Sequence, residues 1–566
     1  MNGRSWSTRA LVMLVALALG LTGCARIPDE GGVQQGVAVT AHDEQDTLYY
    51  PGSPVPGAGP EEILRGFLAA GTGTSDNYGV AREFMTPPAA ISWDATASTL
   101  VVDADPTIQP FAHGAITVSM NVVATVDAHG RYTELSTMQT RTLEYTLEQV
   151  DGEWRIASAP AGIVLLKQNF ANIFAPFTLA FLDQSRTYVV PEIRWFPSHV
   201  TAPTRIVQAL LSGPSDWLAE GGVNSAFPRG TQLLGPILPD QGNAAANFST
   251  NISGASGDEF SLMQLQLEES LADFSNIETV SMLVNGARID VSLPAEGTVV
   301  AHSQVSTQPL VMRGGSLGYL AGDTVTPIVG TEGLQTTLPN LHATAGSVSG
   351  RVAVAAFLTQ DQGVVAVPFA GGAPVPIDDR EDLLPPTVSQ WGFVWTMAPE
   401  DHVVRVADPV YGFGTDVPLP PELQGKVKSL SLSRSGAMMA FAAEINGKAA
   451  IATMAVKRDP STGRPLSLGT PQIDVVDASR AIDLTWADQT TIGLLASAEK
   501  GGTQVFVRQL GGTTTEYGGV DGGVAIEGSN TRQGLRICNG KGDVFVPRAS
   551  QWQASGARVD FLVAQN

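Results

Sequence analysis

Cysteine is almost absent from this 566-residue sequence, and its two cysteines, Cys24 and Cys538, stand far apart. The chain has no closely spaced thiols to build a disulfide framework or a zinc site. Cys538 lies in an apolar, β-patterned stretch and is interpreted as a small buried hydrophobic residue. A structural metal site held by cysteine is therefore not indicated.

Positive charge is also scarce. The sequence has 33 lysines and arginines against 55 aspartates and glutamates, a formal net charge of −22 at pH 7. This excess repels phosphate backbones, so nucleic acid is a poor candidate partner. With 43% hydrophobic and 16% charged residues the composition fits folded domains, and 60 glycines and 36 prolines favour many turns between β-strands.

The apolar run near the N-terminus is too short to cross a bilayer. It covers 12 residues, 10–21, whereas a transmembrane helix needs about 20. Arginines precede it and small residues follow it, which is the layout of an export signal over residues 1–23. Its end, Leu21-Thr22-Gly23-Cys24, resembles the lipobox of bacterial lipoproteins. The resemblance implies that Cys24 carries an S-diacylglycerol group and an N-acyl chain.

Lipid on Cys24 would hold the protein at the extracytoplasmic face of the cell membrane, because two or three acyl chains bind a bilayer stably. The alternative is an ordinary signal peptide in which the cysteine occurs by chance. Residues 24–59 contain five carboxylates, one arginine and the segment PGSPVPGAGP. They are interpreted as an acidic flexible tether.

Residues 60–170 show helical patterns followed by β patterns. PEEILRGFLAAG predicts a helix from Pro60 that stops at Gly71, and NYGVAREFM predicts a second helix that ends at Pro87. Long β runs follow, folded into hairpins at His129-Gly130 and Asp151-Gly152. This order resembles the cone-shaped nuclear-transport-factor-like α+β fold. No cluster of titratable residues marks a pocket in it, which favours a spacer or docking role.

Residues 186–295 carry a more specific resemblance. A strand TYVVPEIRWF precedes a helix that stops at Gly213-Pro214; a loop SAFPRGT, an apolar-faced helix over 260–274 and a VNG hairpin follow. This order resembles the GerMN domain, an α+β domain first named in spore-germination lipoproteins. Such domains have no established catalytic residues, so the resemblance implies a role in assembly or binding.

Residues 305–566 contain a repeat. Turn glycines or their equivalents, each followed by an apolar strand, occur at 315, 350, 392, 436, 488 and 534. A period near 40–45 residues with several short strands per unit is typical of a β-propeller, here of about six blades. SRSGAMMAF at 433–441 also resembles a hairpin of TolB-like propellers, with Arg434 and Ser435 in place of proline and aspartate. The fold class is therefore multi-domain, two α+β domains and one all-β domain.

Two motifs match enzyme signatures without the structural setting that those signatures need. GGSLG at 314–318 matches a nucleophile elbow with Ser316 as the nucleophile, but a strand follows where an elbow needs a helix. SAEK at 497–500 matches the Ser-x-x-Lys of penicillin-interacting enzymes, but a β-hairpin surrounds Ser497 and no Lys-Thr-Gly follows. No catalytic residue is assigned, and the chain is not expected to be an enzyme.

The remaining candidate residues also favour structural roles. The seven histidines are dispersed and predict no metal site. DDRED at 378–382 lacks the spacing of a calcium loop and is interpreted as a solvated loop between blades. Trp391, Trp395 and Trp486 are interpreted as packing residues, with stacking on a ligand as the alternative. No cofactor is expected.

A lipobox, an acidic tether, two α+β domains and a propeller, in this order, resemble the LpqB family of actinobacterial lipoproteins. The resemblance implies an accessory regulator that contacts the extracytoplasmic domain of a sensor histidine kinase of the MtrA–MtrB type, in cell-envelope and division control. One alternative is a receptor that binds a cell-wall glycan or peptide through the propeller. An envelope hydrolase is the less favoured alternative.

Replacing the lipobox cysteine tests the anchor. Cys24→Ala removes the sulfur that would carry the lipid, so we expect the protein to leave the membrane fraction while its folded domains stay intact. Fractionation and metabolic labelling with a fatty acid measure this. Recovery of the variant as a lipidated membrane protein would contradict the prediction.

Overall fold

The computed structural model describes residues 51–410, 414–498 and 501–566. They form an N-terminal α+β domain, a middle α+β domain and a C-terminal domain of β-sheets. The predicted signal peptide, Cys24 and most of the predicted tether lie outside the described residues. No helix among the described residues is long and apolar enough to cross a membrane.

The N-terminal domain packs short helices against one mixed sheet of strand order β5-β4-β3-β1-β6, with β2 paired to β3. Its helices are Pro60–Ala70, Ser75–Glu83, Pro87–Ser92 and Lys167–Ile173. Its strands are β1 (Ser98–Val102), β2 (Thr107–Ile108), β3 (Ala115–Asp127), β4 (Tyr132–Val150), β5 (Glu153–Ser158) and β6 (Ile163–Leu166). The cone shape of the predicted fold stays a prediction.

The first predicted helix and both predicted hairpins are confirmed. The helix runs Pro60–Ala70 and buries Ile63 and Phe67. The hairpins turn at Gly130 and at Asp151-Gly152, where the positive φ angles suit a tight turn between antiparallel strands.

The second predicted helix is confirmed, but its first turn is not α-helical. Asp76, Asn77 and Tyr78 have φ of 50–62°, so the helix Ser75–Glu83 opens with a left-handed turn. It ends at Glu83, before the prolines, and a further short helix that sequence analysis did not predict begins at Pro87. Proline is tolerated at a first helical position because its missing N–H has no partner there, and Thr86 caps this helix by accepting from the Ala89 N–H.

The middle domain joins a two-stranded and a three-stranded sheet, of order β11-β10-β9, to four helical segments. Its strands are β7 (Phe174–Leu182), β8 (Val189–Pro197), β9 (Asn243–Phe248), β10 (Thr279–Val284) and β11 (Ala287–Arg288), and its helices are Ala202–Ser212, Asp216–Glu220, the 3₁₀ turn Thr250–Gly254 and Gly257–Leu271. The predicted stop at Gly213 is confirmed, with φ of 89°.

The C-terminal domain is built from antiparallel sheets. Its strands are β12 (Leu310–Arg313), β13 (Ser316–Ala321), β14 (Thr324–Pro327), β15 (Ala343–Ser349), β16 (Val354–Thr359), β17 (Gly363–Pro368), β18 (Val375–Asp378), β19 (Thr387–Val388), β20 (Val394–Thr396), β21 (Val403–Ala407), β22 (Gly414–Pro418), β23 (Val427–Leu432), β24 (Met438–Ile445), β25 (Lys448–Arg458), β26 (Pro465–Leu468), β27 (Gln472–Val475), β28 (Arg480–Trp486), β29 (Thr491–Ser497), β30 (Thr503–Gln509), β31 (Thr514–Tyr517), β32 (Gly523–Glu527), β33 (Arg536–Asn539), β34 (Asp543–Arg548), β35 (Gln551–Arg558) and β36 (Phe561–Gln565). Short helical segments are Glu332–Thr337, Leu338–Asn340 and Arg532–Gly534.

The repeat predicted from the sequence corresponds to a regular arrangement of these strands. The six repeat positions lie shortly before the starts of β13, β16, β20, β24, β29 and β33. Strands β15, β19, β23, β28, β32 and β36 each lie beside the next, and β36 lies beside β15. We call these six the inner strands. The number of blades stays a prediction.

The strand β8 of the middle domain contacts both of the other domains. Trp195 packs against Tyr132 of the N-terminal domain, with ring centroids 5.3 Å apart, and its Nε1–H donates to the Gly511 carbonyl of the C-terminal domain at 2.8 Å. The neighbouring Arg194 is fully buried and donates to the His129 carbonyl at 3.0 Å. These two side chains hold the three domains together.

A buried arginine ties the N-terminal domain directly to the C-terminal domain. The side chain of Arg508 is 7% exposed and forms salt bridges with Glu134, at 2.7 Å, and Asp474, at 2.9 Å. Burial raises the pKa of Asp474, and the nearby Arg508 charge opposes that rise. Arg508 thus pairs with a carboxylate of each domain at the boundary between them.

We expect Arg508→Met to lower the thermal unfolding midpoint clearly more than Lys448→Met. Arg508→Met leaves two partly buried carboxylates without their cation, which we expect to cost about 2 kcal/mol or more. The matched control removes an exposed pair between Lys448 and Asp477, which is worth about 0–1 kcal/mol. Equal midpoints for the two variants would contradict the role given to Arg508.

Candidate binding site between the middle and C-terminal domains

A cavity of about 480 Å³ lies where the middle domain meets the C-terminal domain. We call it the junction pocket. The segment between β11 and β12, residues 289–309, is called the connector. The polar walls of the pocket include Tyr188 of the middle domain, His302 and Ser303 of the connector, and Arg351, Gln390 and Arg434 of the C-terminal domain. Because Arg351, Gln390 and Arg434 closely follow the inner strands β15, β19 and β23, the pocket lies at one end of the inner strands.

The junction pocket is positively charged in a strongly acidic protein. None of its described lining residues is an aspartate or glutamate, whereas two arginines and one histidine line it. A hydrogen bond to Glu269 raises the pKa of His302 above its usual value, although burial opposes the rise. The pocket therefore favours a ligand of negative charge.

Arg434 is a buried cation without a salt bridge among the described residues. It is 6% exposed, and its Nη2 donates to the carbonyls of Trp486 and Ser529. Its Nε has no hydrogen-bond partner. Burial lowers its pKa to about 10, while Asp488 and Glu527 act on it in the opposite direction. Arg434 is therefore still charged at neutral pH, in a place where an uncompensated charge costs free energy.

Gln390 presents a second set of unpartnered polar atoms. The residue is 4% exposed, and neither its Oε1 nor its Nε2 has a hydrogen-bond partner among the described residues. The Oγ of Ser303 in the connector is also buried without a partner. Each unsatisfied buried group costs about 1–3 kcal/mol. These atoms are therefore prepared to bind water or a polar ligand.

Glycine is required beside this amide. A Cβ on Gly436 would lie 2.6 Å from Nε2 and 2.8 Å from Oε1 of Gln390, and the φ of Gly436 is +67°. Both the space and the backbone conformation therefore exclude a larger residue. The turn glycine that sequence analysis assigned to the SRSG hairpin thus also makes room for the Gln390 side chain.

Stacked aromatic and cationic side chains join the two domains next to the pocket. The Tyr188 ring packs edge-on against Trp391 at 5.5 Å, and the Arg351 guanidinium lies 5.2 Å from the Tyr188 ring centroid. Arg458 lies 4.6 Å from the Trp391 ring centroid and donates to the carbonyls of Gly436 and Gly463. Burial raises the pKa of Tyr188 and lowers that of Arg458 to about 9. These contacts fix the pocket walls at the domain boundary.

Two carboxyl groups lie on neighbouring inner strands. Asp483 of β28 accepts hydrogen bonds from Ser429 at 2.6 Å and from the Ile526 N–H at 2.9 Å, and Glu527 of β32 accepts from Thr485 at 3.2 Å. Burial raises the pKa of Asp483 to about 6. Burial, and then the charge of Asp483, raise the pKa of Glu527 well above its usual value.

A larger cavity, of about 1010 Å³, lies in the N-terminal domain. Its walls include Ile63, Phe84 and Val102, and residues 51–58 run along it. Sequence analysis did not predict this cavity, because no cluster of titratable residues in the sequence marks it. It has no buried polar side-chain atom left without a partner among its described lining residues.

Known protein families match most of the chain. The model described as "Lipoprotein LpqB, N-terminal domain" matches residues 53–171, "Sporulation and spore germination" matches 178–290, and "Lipoprotein LpqB beta-propeller domain" matches 315–559. The protein named Lipoprotein LpqB of Nocardia farcinica is 27% identical over 86% of this chain and 85% of its own length. That of Streptomyces coelicolor is 25% identical over 91% and 90%. The chain belongs to the LpqB lipoprotein family.

The relatives of this LpqB family member are named as lipoproteins and not as enzymes. Among solved structures, the first GerMN domain of GerM from Bacillus subtilis is similar at 23% identity over 22% of this chain and 94% of its own, with a TM-score of 0.17. The nidogen/laminin complex is similar at 12% identity over 42% and 88%, with a TM-score of 0.31.

The motifs that resemble enzyme signatures lie in strands of the LpqB fold. Ser316 begins β13, and its Oγ lies 3.3 Å from Gln335 Oε1. Ser497 ends β29, where the backbone is extended, and Lys500 lies outside the described residues. A nucleophile elbow needs a following helix and Ser-x-x-Lys needs a helical turn, so neither motif has its required setting.

The interpretation of DDRED as a solvated loop is wrong for its first residue. Asp378 is 3% exposed and accepts hydrogen bonds from Arg380 at 2.6 Å, from Thr396 at 2.7 Å and from Arg405 at 3.3 Å. The arginines come from the same loop and from β21, so they could not be recognised as partners from spacing alone. The carboxylate is therefore part of the packing between neighbouring sheets.

Other predicted residues lie where packing requires them. Trp395 and Trp486 are buried, and Cys538 is buried in β33, where burial raises the pKa of its thiol to about 11. Trp391 packs between Arg458 and Tyr188, as a residue at a domain boundary. The described residues contain no group of three or more histidine, cysteine or acidic side chains placed to hold a metal ion. Cys24 lies outside the described residues.

Sequence reasoning did not find Gln390 or Arg351 as site residues, and it noticed Arg434 only as a departure from a known hairpin pattern. The residues of the junction pocket are spread from position 188 to position 566. The one usable signal was a charged residue where a turn normally has proline.

The inner-strand carboxyls predict a pH dependence of stability. Because the folded state raises the pKa of Asp483 to about 6, it binds a proton that the unfolded chain, with a pKa near 3.9, has already released. The free energy of unfolding should therefore fall as pH rises from about 4 to about 6, by up to about 3 kcal/mol from this group. Denaturant unfolding from pH 4 to 7 measures this.

Asp483→Asn should flatten that fall, because the side chain keeps its shape without titrating. The matched control Asp323→Asn alters a side chain that is 75% exposed and paired with Arg313. It should keep the slope of the parent protein. An unchanged slope in Asp483→Asn would contradict the assignment.

Proposed function

We propose that this protein is a membrane-tethered, non-enzymatic lipoprotein that acts as an accessory regulator of a sensor histidine kinase of the MtrA–MtrB type, in cell-envelope and division control. The observation that carries the proposal is the character of the junction pocket. Its described lining offers cations, amides and hydroxyls, and the Ser303 Oγ has no hydrogen-bond partner, so the neighbouring His302 is not placed to activate it as a base. Such a set binds a molecule without chemistry to transform it.

The anchor in this proposal is lipid on Cys24 at the extracytoplasmic face of the membrane. In this proposal the predicted tether, residues 24–59, joins the lipid anchor to the N-terminal domain. The N-terminal domain would therefore lie nearest to the membrane. Its reach would allow contact with the extracytoplasmic domain of a membrane-embedded kinase.

For the fold we propose a nuclear-transport-factor-like cone in the N-terminal domain and a ring of six four-stranded blades in the C-terminal domain. The ring is supported by the cyclic order in which the inner strands lie beside one another. It is also supported by β36, which pairs with β12 and would complete the first blade with the last strand of the domain.

A second candidate function is a receptor for a cell-wall glycan or peptide that binds through the C-terminal domain. The unpartnered atoms of Gln390 and Arg434 favour it, because buried polar groups in proteins are normally satisfied. The two roles are compatible, since a receptor can report its ligand to a kinase. An envelope hydrolase lacks such support.

Site-specific photo-crosslinking in cells tests the kinase partnership. A photoreactive residue is placed at Ile91, Leu238 or Val524, three exposed apolar positions that sample the three domains with exposures of 87%, 55% and 52%. We expect at least one position to capture the extracytoplasmic domain of a sensor kinase. The same position combined with Cys24→Ala should lose the adduct.

A control position is Val348, a residue of the pocket wall that is only 4% exposed. It should yield no kinase adduct. Adducts that contain only lipid or wall glycan at all three exposed positions would contradict the kinase partnership.

A further inference from the structure

We propose that the junction pocket binds the carboxylate of a small peptide-like molecule. The inference rests on the receptor role proposed above, and it names the chemical class of the ligand. It is carried by three features of the pocket: the sign of its charge, its unpartnered donors and acceptors, and its size.

The charge of the pocket selects an anion. Arg434 is buried without a salt bridge among the described residues, and Arg351 and His302 lie in the same wall, while no described lining residue is acidic. The carboxylates near the pocket already have partners: Glu269 pairs with His302, and Asp488 and Glu527, which act on the charge of Arg434, accept hydrogen bonds from Thr490 and Thr485. A ligand carboxylate would therefore supply the counter-charge that Arg434 lacks.

The unpartnered atoms distinguish a peptide carboxylate from a phosphate or sulfate. The Nε–H of Arg434 and the Nε2–H of Gln390 are donors for carboxylate oxygens, Gln390 Oε1 is free to accept, and Ser303 Oγ is free to donate or accept. An acceptor in the wall repels a fully ionised phosphate. Gln390 Oε1 can instead accept a hydrogen bond from the peptide N–H of the residue that carries the carboxylate.

The size and the remaining walls fit a short, weakly apolar ligand. The volume of about 480 Å³ lies within the usual range of roughly 300–1,000 Å³ for small-molecule sites. Tyr319, Ile328 and Phe369 supply apolar surface next to the polar end. The pocket thus has a polar end for the carboxylate and an apolar wall for a small side chain.

Calorimetric titration of the purified full-length lipoprotein in detergent tests the inference. The probe is N-acetyl-alanyl-alanine, and its C-terminal amide is the matched control, which differs only in the carboxylate. We expect the acid to bind at least about tenfold more tightly than the amide, since a charged hydrogen-bonding partner is lost in the amide. Equal binding of the two probes would overturn the inference. The absence of any binding of the acid at probe concentrations up to about 10 mM would also overturn it.

Two substitutions place the binding in the pocket. Gln390→Glu has the same shape and puts a like charge against the ligand carboxylate, so it should weaken binding of the acid more than about tenfold. Arg351→Gln changes an exposed residue at the pocket edge and should weaken binding by about threefold or more. Arg313→Gln alters an arginine of the same domain outside the pocket, paired with Asp323, and should bind the acid as the parent protein does.

The outcomes separate this inference from the proposed function. Binding of the acid that Gln390→Glu and Arg351→Gln both leave unchanged would overturn the site. Capture of a kinase domain without binding of the acid would leave the regulatory role in place and reject the ligand. Binding of the acid without any kinase capture would support the ligand and reject the regulatory role.

Discussion

The arrangement of the three domains depends on the indole of Trp195. One face of the ring packs among aromatic side chains of the N-terminal domain, and its N–H donates to a carbonyl of the C-terminal domain. The next residue along the strand, Arg194, is buried and bonded to the N-terminal hairpin. Both residues thus contact the N-terminal domain, and Trp195 also reaches the C-terminal domain, so one short segment of the middle domain contacts both neighbours. Displacement of this strand would therefore alter both domain boundaries at once.

A chain with a net charge of −22 keeps a positively charged pocket at its central boundary. The exposed Arg351 stacks on Tyr188 at the pocket edge. Beside the pocket the buried Arg458 stacks on Trp391, and this cation–π contact offsets part of the cost of burying its charge. The carboxyl groups of Asp483 and Glu527, on neighbouring inner strands, are held in environments that raise their pKa. The acidic surface would repel anions at long range, so entry of an anionic ligand depends on the local field of the pocket.

Local features of the fold could be predicted from the sequence, and distant ones could not. The glycine stop at Gly213, the hairpin turn at Gly130 and the repeated glycine-strand starts of the C-terminal domain are set by neighbouring residues. The pocket combines Tyr188 with Gln390 and Arg434, residues that only the packing of two domains brings together. Asp378 likewise has two of its three partners, Thr396 and Arg405, on other strands. Sequence patterns carry no record of such contacts when one sequence stands alone.

Strand β36 has a consequence for how the protein reaches its folded state. It pairs with β12 and β15, so strands some 250 residues apart in the sequence must meet. Closing a loop of that length costs roughly 5 kcal/mol of chain entropy. Until that pairing forms, β12 and β15 each keep an apolar edge open to other chains. For a chain exported as proposed, the C-terminal domain would complete its first sheet only after β36 has crossed the membrane. During that interval its open strand edges would be a target for chaperones of the cell envelope.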